Sequence, residues 1–159
     1  MTYFKNEMKN ISFENESQIK KEAFANLYCK YPEYLGKLFF ISYLLRNGDI
    51  LIQLEGYNTN AVIDRKGNFK LGFTYLIHNC CLNGLYLCSN HHQQYGFINQ
   101  GYEVVIPFMY DHADPFDKSG KARVRKSGRY FYINETGKDL GLPIFEKKAR
   151  QMIDIFLNI

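Results

Sequence analysis

The chain has 159 residues, of which 46% are hydrophobic and 23% charged, and this composition excludes a disordered protein. Its length fits one domain with a core of its own. Aromatic residues make up 16%, with 13 Tyr, 13 Phe and no Trp, which favours β-strands. No apolar run approaches the roughly 20 residues of a membrane span, and the N-terminus lacks the pattern of a signal peptide. We therefore expect a cytoplasmic protein without a membrane partner, whose four cysteines stay reduced.

The net charge of +4 is unevenly distributed along the chain. Residues 1–48 carry seven cations and five acids, and residues 49–117 carry three cations and seven acids. Residues 118–159 carry ten cations and four acids. This uneven distribution of charge would attract a partner of opposite charge, but the sign of the charge does not identify that partner.

The first predicted elements are helical. Between Asn15 and Tyr31 the apolar residues recur with helical spacing, and Pro32 ends the pattern. The predicted buried face consists of Ile19, Ala23, Phe24, Leu27 and Tyr28. The segment Pro32–Arg46 is ambiguous, because its leucines suit a second helix whereas Leu38–Tyr43 suits a buried strand. The Pro at a first turn favours the helix.

The middle of the chain repeats itself. A turn motif occurs three times, as Val62-Ile63-Asp64-Arg65-Lys66-Gly67, Phe97-Ile98-Asn99-Gln100-Gly101 and Tyr132-Ile133-Asn134-Glu135-Thr136-Gly137. Its isoleucines are 35 residues apart both times, and Gly48, Gly84 and Gly120 are 36 apart. Such a period indicates stacked structural repeats. We expect the three turns to superpose, with the isoleucines in equivalent buried positions.

Short strands rich in aromatic and β-branched residues flank these turns. They are predicted at Ile50–Leu54, Ala61–Asp64, Phe69–Thr74, Leu85–Ser89, Tyr95–Asn99, Glu103–Tyr110, Ala122–Lys126 and Tyr130–Asn134. Asp or Asn at the start of each turn can bond its own backbone, and Gly at its end accepts a positive φ. Because Pro107 cannot donate to a strand ladder, its strand should be an edge or bulged there.

The chain closes with a predicted amphipathic helix at Phe145–Leu157. Its apolar residues Ala149, Met152, Ile153 and Phe156 follow helical spacing, and we expect the helix to cover one open end of the repeats. The predicted fold is α+β and mainly antiparallel β, as a β-hairpin array of about 35 residues per unit. We expect a single domain, with a helical front at 1–47, a β-repeat region at 48–143 and a capping helix at 144–159.

One segment resembles a known family. The run Tyr95-Gly96-Phe97-Ile98-Asn99-Gln100-Gly101, followed by Val104–Asp111 and Pro115-Phe116, resembles the bacterial WG repeat. One unit, about residues 95–128, matches well, and two flanking units are degenerate. There Asn60-Ala61 and Tyr130-Phe131 replace the Trp-Gly pair. The resemblance implies an antiparallel β-hairpin array and a non-enzymatic role, and it carries no catalytic residues.

A cluster of metal-ligand residue types lies between positions 78 and 92. It comprises His78, Cys80, Cys81, Cys88, His91 and His92. The spacing lacks the Cys-x-x-Cys pair of a zinc finger. The repeat period instead aligns Cys88 with Ile52 and Val124, and Cys81 with Phe116, which are apolar positions. We therefore expect buried thiols rather than a metal site or a reactive nucleophile, and we predict no cofactor.

A basic run predicts the partner-binding surface. Six cations and no acid fall between Lys118 and Arg129. Since Ala122 and Val124 should face inward, Lys121, Arg123 and Arg125 should project together from the opposite face. The predicted partner-binding residues are Lys121, Arg123, Arg125, Lys126 and Arg129. The alternative is a solvated strand whose charges prevent aggregation.

No catalytic signature accompanies this scaffold. The chain has no phosphate-binding Gly-rich loop and no Gly-x-Ser-x-Gly elbow, and the trio Asp111, His112 and Asp114 is a weak acid–base pattern. We expect a non-enzymatic protein-binding module, specifically an immunity protein that blocks a secreted bacterial toxin. The alternative hypothesis is a nucleic-acid-binding module that uses the basic strand within residues 118–129.

Overall fold

The computed structural model describes residues 13–37, 39–80, 83–142 and 144–157. Its helices are α1 (Phe13–Lys30), a short 3-10 helix (Pro32–Tyr34) and α2 (Ile144–Leu157). The strands are β1 (Phe39–Leu44), β2 (Ile50–Leu54), β3 (Asn60–Ile63), β4 (Phe69–Cys80), β5 (Tyr86–Ser89), β6 (Tyr95–Ile98), β7 (Val104–Tyr110), β8 (His112–Ala113), β9 (Lys121–Lys126), β10 (Arg129–Asn134) and β11 (Asp139–Gly141). They form antiparallel sheets in the orders β1-β2-β3-β4-β5-β6-β7 and β11-β10-β9-β8. The predicted fold class, α+β and mainly antiparallel β, is confirmed.

The three repeated turns share one hydrogen-bond pattern, as predicted. In each turn the first Asp or Asn donates its N–H to the carbonyl four residues later, at 2.9 Å for Asp64, 2.9 Å for Asn99 and 3.1 Å for Asn134. Ile63, Ile98 and Ile133 precede these turns, and all three are 0% exposed. None of the three segments is helical. The 35-residue recurrence therefore corresponds to a recurring backbone turn.

The middle turn departs from the predicted use of glycine. The position with positive φ is occupied by Gly67 and Gly137 in the outer turns, but by Tyr102 (φ 66°) rather than Gly101 in the middle one. The Tyr102 ring is 8% exposed and stacks on Tyr86 at 6.3 Å between centroids. Its hydroxyl donates to Asp49 Oδ2 at 2.7 Å, and burial raises its pKa. These contacts offset the strain of a left-handed side-chain-bearing residue.

The predicted helix over Pro32–Arg46 is wrong. After the short 3-10 helix, this segment forms β1, which pairs with β2 from Phe39↔Leu54 to Leu44↔Ile50. The alternative interpretation, a strand within Leu38–Tyr43, is the one that the structure confirms. An apolar run of this length suits either element, and pairing with the neighbouring β2 decides in favour of the strand.

The other predicted strands form, with differences at their ends. β4 is longer than predicted because its first half pairs with β3 and its second half pairs with β5. The short strands β8 and β11 were not predicted from the sequence. Pro107 lies in β7, which is the edge of the seven-stranded sheet and pairs with β6 through a register shift. Both expectations for Pro107 are confirmed.

The strands form three units with the same pairing register. Unit 1 comprises β2, β3 and the first half of β4, unit 2 comprises β5, β6 and β7, and unit 3 comprises β9, β10 and β11. The second and third strands of each unit pair with the same bulge. The residue pairs that flank the bulge are Val62↔Leu71 and Ile63↔Phe69 in unit 1, Phe97↔Ile106 and Ile98↔Val104 in unit 2, and Tyr132↔Gly141 and Ile133↔Asp139 in unit 3. The units are therefore structural equivalents at a spacing of 35 residues.

The units stack, and each interface has its own apolar core. The face of unit 1 that includes Leu51 and Val62 packs against the face of unit 2 that includes Tyr86 and Cys88. In the same way, the face of unit 2 that includes Leu87 packs against unit 3. Helix α1 covers the first end of the stack through the predicted residues Ala23 and Leu27, both 0% exposed. At the opposite end, beyond unit 3, the described residues form no such layer.

The C-terminal helix forms at Ile144–Leu157, one residue longer than predicted, but does not bury its apolar face. Met152 is 60% exposed, Ile153 is 55% exposed and Phe156 is 73% exposed. The expected cover of the open end is therefore not made. The physical reason is that the end of unit 3 presents Lys121, Arg123 and Arg125, whose charged groups an apolar helix face would have to desolvate. No helix within the described ranges combines the length and the apolar character needed to cross a bilayer.

Candidate functional site

The open end of the stack is formed by alternate residues of β9 and β10. Along β9 the side chains of Ala122 and Val124 are buried, whereas Lys121 and Arg123 are exposed and Arg125 is partly exposed. The prediction that these three cations share one face is thus confirmed. We call this surface the open face and define it by six residues: His112, Lys121, Arg123, Arg125, Tyr130 and Tyr132. Its role in binding a partner stays a prediction.

Two of the five predicted site residues do not lie on the open face. Lys126 alternates in step with buried Val124 and donates to Met109 Sδ of unit 2 at 3.2 Å. Arg129 alternates in step with Phe131, whose ring lies 5.0 Å from the guanidinium carbon, and forms an ion pair with Asp139 at 2.9 Å. Both residues flank the tight turn between β9 and β10, and the alternation places them on the side of the sheet opposite the open face.

The tyrosines of β10 complete the open face. The sequence left open whether Tyr130 and Tyr132 are core or surface residues. The strand register places Tyr130 opposite Arg125 and Tyr132 opposite Arg123, on the outward side. The guanidinium carbons of Arg123 and Arg125 lie 5.3 and 5.7 Å from the centroid of the Tyr130 ring. This geometry is that of cation–π contacts, which hold the arginines flat on the sheet.

The short strand β8 contributes residues that the sequence analysis did not assign to this site. His112 lies opposite Arg125, and its Nε2 is 3.1 Å from Asp114 Oδ1. The second oxygen of Asp114 accepts from Arg123 Nε at 2.9 Å. Asp111 takes part only through its backbone N–H, which donates to the carbonyl of Arg125. The weak acid–base trio is thus largely an ion-pair arrangement, and a two-residue strand carries no periodic signal that could have revealed it.

Arg125 lies on the open face and, like Lys121, forms no ion pair within the described part of the structure. Its Nε is buried and has no hydrogen-bond partner in the described structure. Arg123 and Arg129, by contrast, are paired with Asp114 and Asp139. A buried polar donor without an acceptor is costly.

The repeat explains why this face is exposed. The positions of Arg123 and Tyr132 correspond to Leu87 and Phe97 in unit 2, which are 4% and 0% exposed because unit 3 covers them. In unit 1 the corresponding residues Leu51 and Val62 are likewise buried. Unit 3 therefore carries polar residues where the earlier units carry apolar ones. A polar outer face is what a terminal repeat requires for solubility, and it also removes the self-complementarity that would add a fourth unit.

A cleft of about 300 Å³ separates α2 from the β9–β10 hairpin. Its lining on the sheet side includes Arg129 and Tyr130, and on the helix side Ala149 and Ile153. The ammonium of Lys147 lies 3.5 Å from the position that a Cβ would occupy at Gly141, which is paired with Tyr132. Helix α2 therefore runs beside β10 and borders the open face.

The cysteine and histidine residues do not converge in the described structure. Cys88 is 0% exposed, and its thiol donates to the carbonyl of Tyr86 at 3.6 Å, in the apolar position predicted from the repeat. His78 Nε2 is 2.7 Å from Ser89 Oγ, and its ring stacks on Tyr95. Cys81 lies outside the described residues. Within the described ranges, no three His, Cys, Asp or Glu residues are close enough to hold a metal ion.

We predict that the purified protein contains no stoichiometric zinc. Because Cys88 fills an apolar position, a chelator should leave the melting temperature unchanged. Elemental analysis and thermal unfolding with and without EDTA measure both quantities. One equivalent of zinc, lost together with stability on chelation, would make the 78–92 segment a structural metal site.

Comparison with known proteins gives one match. Residues 95–130, which span β6 to the start of β10, match the family described as the WG containing repeat. No curated protein and no solved structure is similar enough to be matched with this chain.

Proposed function

We propose that the chain, whose residues 95–130 match the WG containing repeat, is a non-catalytic protein-binding module that binds its partner through the open face. The observation that carries the proposal is Arg125. It is held over the Tyr130 ring with its buried Nε unpaired, while the neighbouring arginine of the same face is already satisfied by Asp114. A partner carboxylate would form an ion pair with the partly exposed Arg125 side chain, which has none among the described residues.

The composition of the open face supports a protein partner. Arginine and tyrosine are enriched among the residues that dominate binding energy at protein interfaces. Here Arg125 and Tyr130 stand on paired strands, so little conformational entropy is lost when they are immobilised by a partner. The face is broad and belongs to a sheet, which suits a protein surface better than an enclosed small molecule.

Nucleic acid is the second candidate partner, and one observation favours it. Tyr130 beside two arginines offers a base-stacking surface next to cations. Two acids stand beside the same face, however, since Asp114 pairs with Arg123 and Asp117 lines a shallow cleft with Lys121. Hydrogen bonds from Ser119 keep the pKa of Asp117 below its usual range, so it stays charged and repels phosphate.

A narrower form of the proposal concerns the identity of the partner. We propose that this partner is a secreted bacterial toxin that the chain blocks in the cytoplasm as an immunity protein. Support comes from free cysteines at positions 29 and 88, which suit a reducing compartment. The basic open face calls for an acidic surface on such a toxin. Co-expression with the product of a neighbouring toxin gene would test this narrower form through cell survival.

Charge reversal on the open face tests the proposal directly. In the variant Arg123→Glu/Arg125→Glu, we expect the affinity for the partner to fall at least about 100-fold, because two interface cations become repulsive anions. The free energy of unfolding should change by about 1 kcal/mol or less, since the ion pair of Arg123 with Asp114 is exposed. The partner is first captured from an extract with the wild-type protein, identified by mass spectrometry and then titrated in purified form.

The matched control is Lys66→Glu/Lys70→Glu, which changes the net charge equally at exposed positions of unit 1. This control should bind normally. Unchanged binding in the arginine double variant would refute the open face as the site, and loss on reversing Asp111 and Asp117 instead would move the site to the acidic middle of the chain. A steep fall of affinity with salt, together with capture of RNA or DNA, would favour the nucleic-acid alternative.

A further inference from the structure

The apolar face of α2 is exposed beside the open face. Five large apolar side chains of this helix are between 55% and 79% exposed: Met152, Ile153, Ile155, Phe156 and Leu157. Four of them, all except Ile155, lie within one side of the helix together with Ala149, since the helix turns by about 100° per residue. A contiguous exposed apolar surface on a folded protein marks an interaction site.

The helix and the sheet together form a groove. Ile153 and Ala149 of α2 face Tyr130 across the cleft of about 300 Å³. Beyond Tyr130, the next residue across the sheet is Arg125, its pairing partner on β9. The helix wall of the groove therefore combines apolar Ala149 and Ile153 with Arg150, its floor is aromatic, and its far wall is cationic.

We infer that this groove takes an amphipathic helix of the partner whose apolar side contacts α2 and whose acidic side faces Arg125. The inference rests on the proposed function and adds the partner's chemistry to it. An apolar wall alone would accept any apolar surface, and a cationic wall alone would accept any anion. Only a segment with apolar residues on one side and acidic residues on the other complements both walls at once. A helix with apolar residues at i, i+3, i+4 and i+7 presents such sides.

Charge argues against two other occupants. A second copy of this chain, joined through α2, would bring two basic open faces next to each other, and like charges in an interface are costly. An anionic lipid surface would need a strongly basic helix, but residues 144–157 carry two acids, Glu146 and Asp154, against three cations. The acidic helix is the occupant that complements both walls.

The test uses a synthetic 16-residue peptide of Leu and Glu with Leu at helical spacing, and a scrambled peptide of the same composition. Binding is measured by fluorescence anisotropy on the whole protein. The variant Ile153→Gln/Phe156→Gln removes apolar contacts without changing charge, and Gln keeps good helix propensity. The matched control is Ile155→Gln, which makes the same change at a side chain of similar exposure on the other side of α2.

We expect at least a tenfold loss of affinity for the ordered peptide in Ile153→Gln/Phe156→Gln and in Arg125→Gln, and none in Ile155→Gln. Equal binding of the scrambled peptide, or equal weakening by Ile155→Gln, would overturn the groove. Binding to phosphatidylserine vesicles would also overturn the groove if the substitution Phe156→Gln abolished that binding. The same holds for self-association measured by ultracentrifugation.

The captured partner separates this inference from the proposed function. If that partner is sensitive to Arg123→Glu/Arg125→Glu but not to Ile153→Gln/Phe156→Gln, the open face is the site and the groove is wrong. If the partner is insensitive to both variants, the proposed function fails as well.

Discussion

Replacing Gly67 by Ala should destabilise the protein by more than about 4 kcal/mol, a cost well above that of most single substitutions. Gly67 has φ +77°, which alone costs a side-chain-bearing residue about 1–2 kcal/mol. In addition, an added Cβ would stand 2.6 Å from Asn26 C and 2.8 Å from Leu27 Cα, both backbone atoms of α1. The helix would have to move away, and the buried contacts of Ala23 and Leu27 would be lost with it.

The repeat supplies the control for this prediction. Gly137 occupies the same turn position with φ +80°, but an added Cβ would meet only Ile106 side-chain atoms, at 3.5 Å and beyond. Gly137→Ala should therefore lower the free energy of unfolding only by the cost of the left-handed backbone conformation, about 1–2 kcal/mol. Urea unfolding of the two variants measures the difference. If Gly67→Ala costs no more than Gly137→Ala, the close approach of α1 to unit 1 is not a feature of the folded protein.

Replacing Phe97 by Ala should destabilise the protein by about 3–5 kcal/mol, as expected for the loss of a large core side chain. Phe97 is 0% exposed, and its ring lies 4.7 Å from that of Phe116 between units 2 and 3. Tyr132 holds the same position of unit 3 but lies on the open face. Tyr132→Ala should therefore cost about 1 kcal/mol or less.

Denaturant unfolding of both variants gives the comparison, and the expected difference is at least about 2 kcal/mol. A similar loss in both variants would mean that the open face is covered in solution. The result therefore also bears on the binding surface, because it reports whether unit 3 ends the stack.

The candidate site could be predicted only in part from the sequence. The period-2 alternation of β9 correctly separated buried Ala122 and Val124 from Arg123 and Arg125. The basic run nevertheless joined Lys126 and Arg129 to the same surface, although the alternation and the tight turn after Lys126 place them on the opposite side of the sheet. The contributions of His112 and Asp114 depend on the pairing of β8 with β9, which no local pattern announces.

The amino-acid sequence by itself determined the local features of this protein. Asp or Asn at the start of a turn and a β-branched residue before it act over a few residues, so three turns and eight strands could be predicted without a partner element. The tertiary structure decided what depends on neighbours. Pairing with β2 made a strand of Phe39–Leu44, and stacking decided that Leu51 and Leu87 are covered while Arg123 is not. Equivalent positions of the three units differ in burial because a residue is covered only where another unit packs on its face.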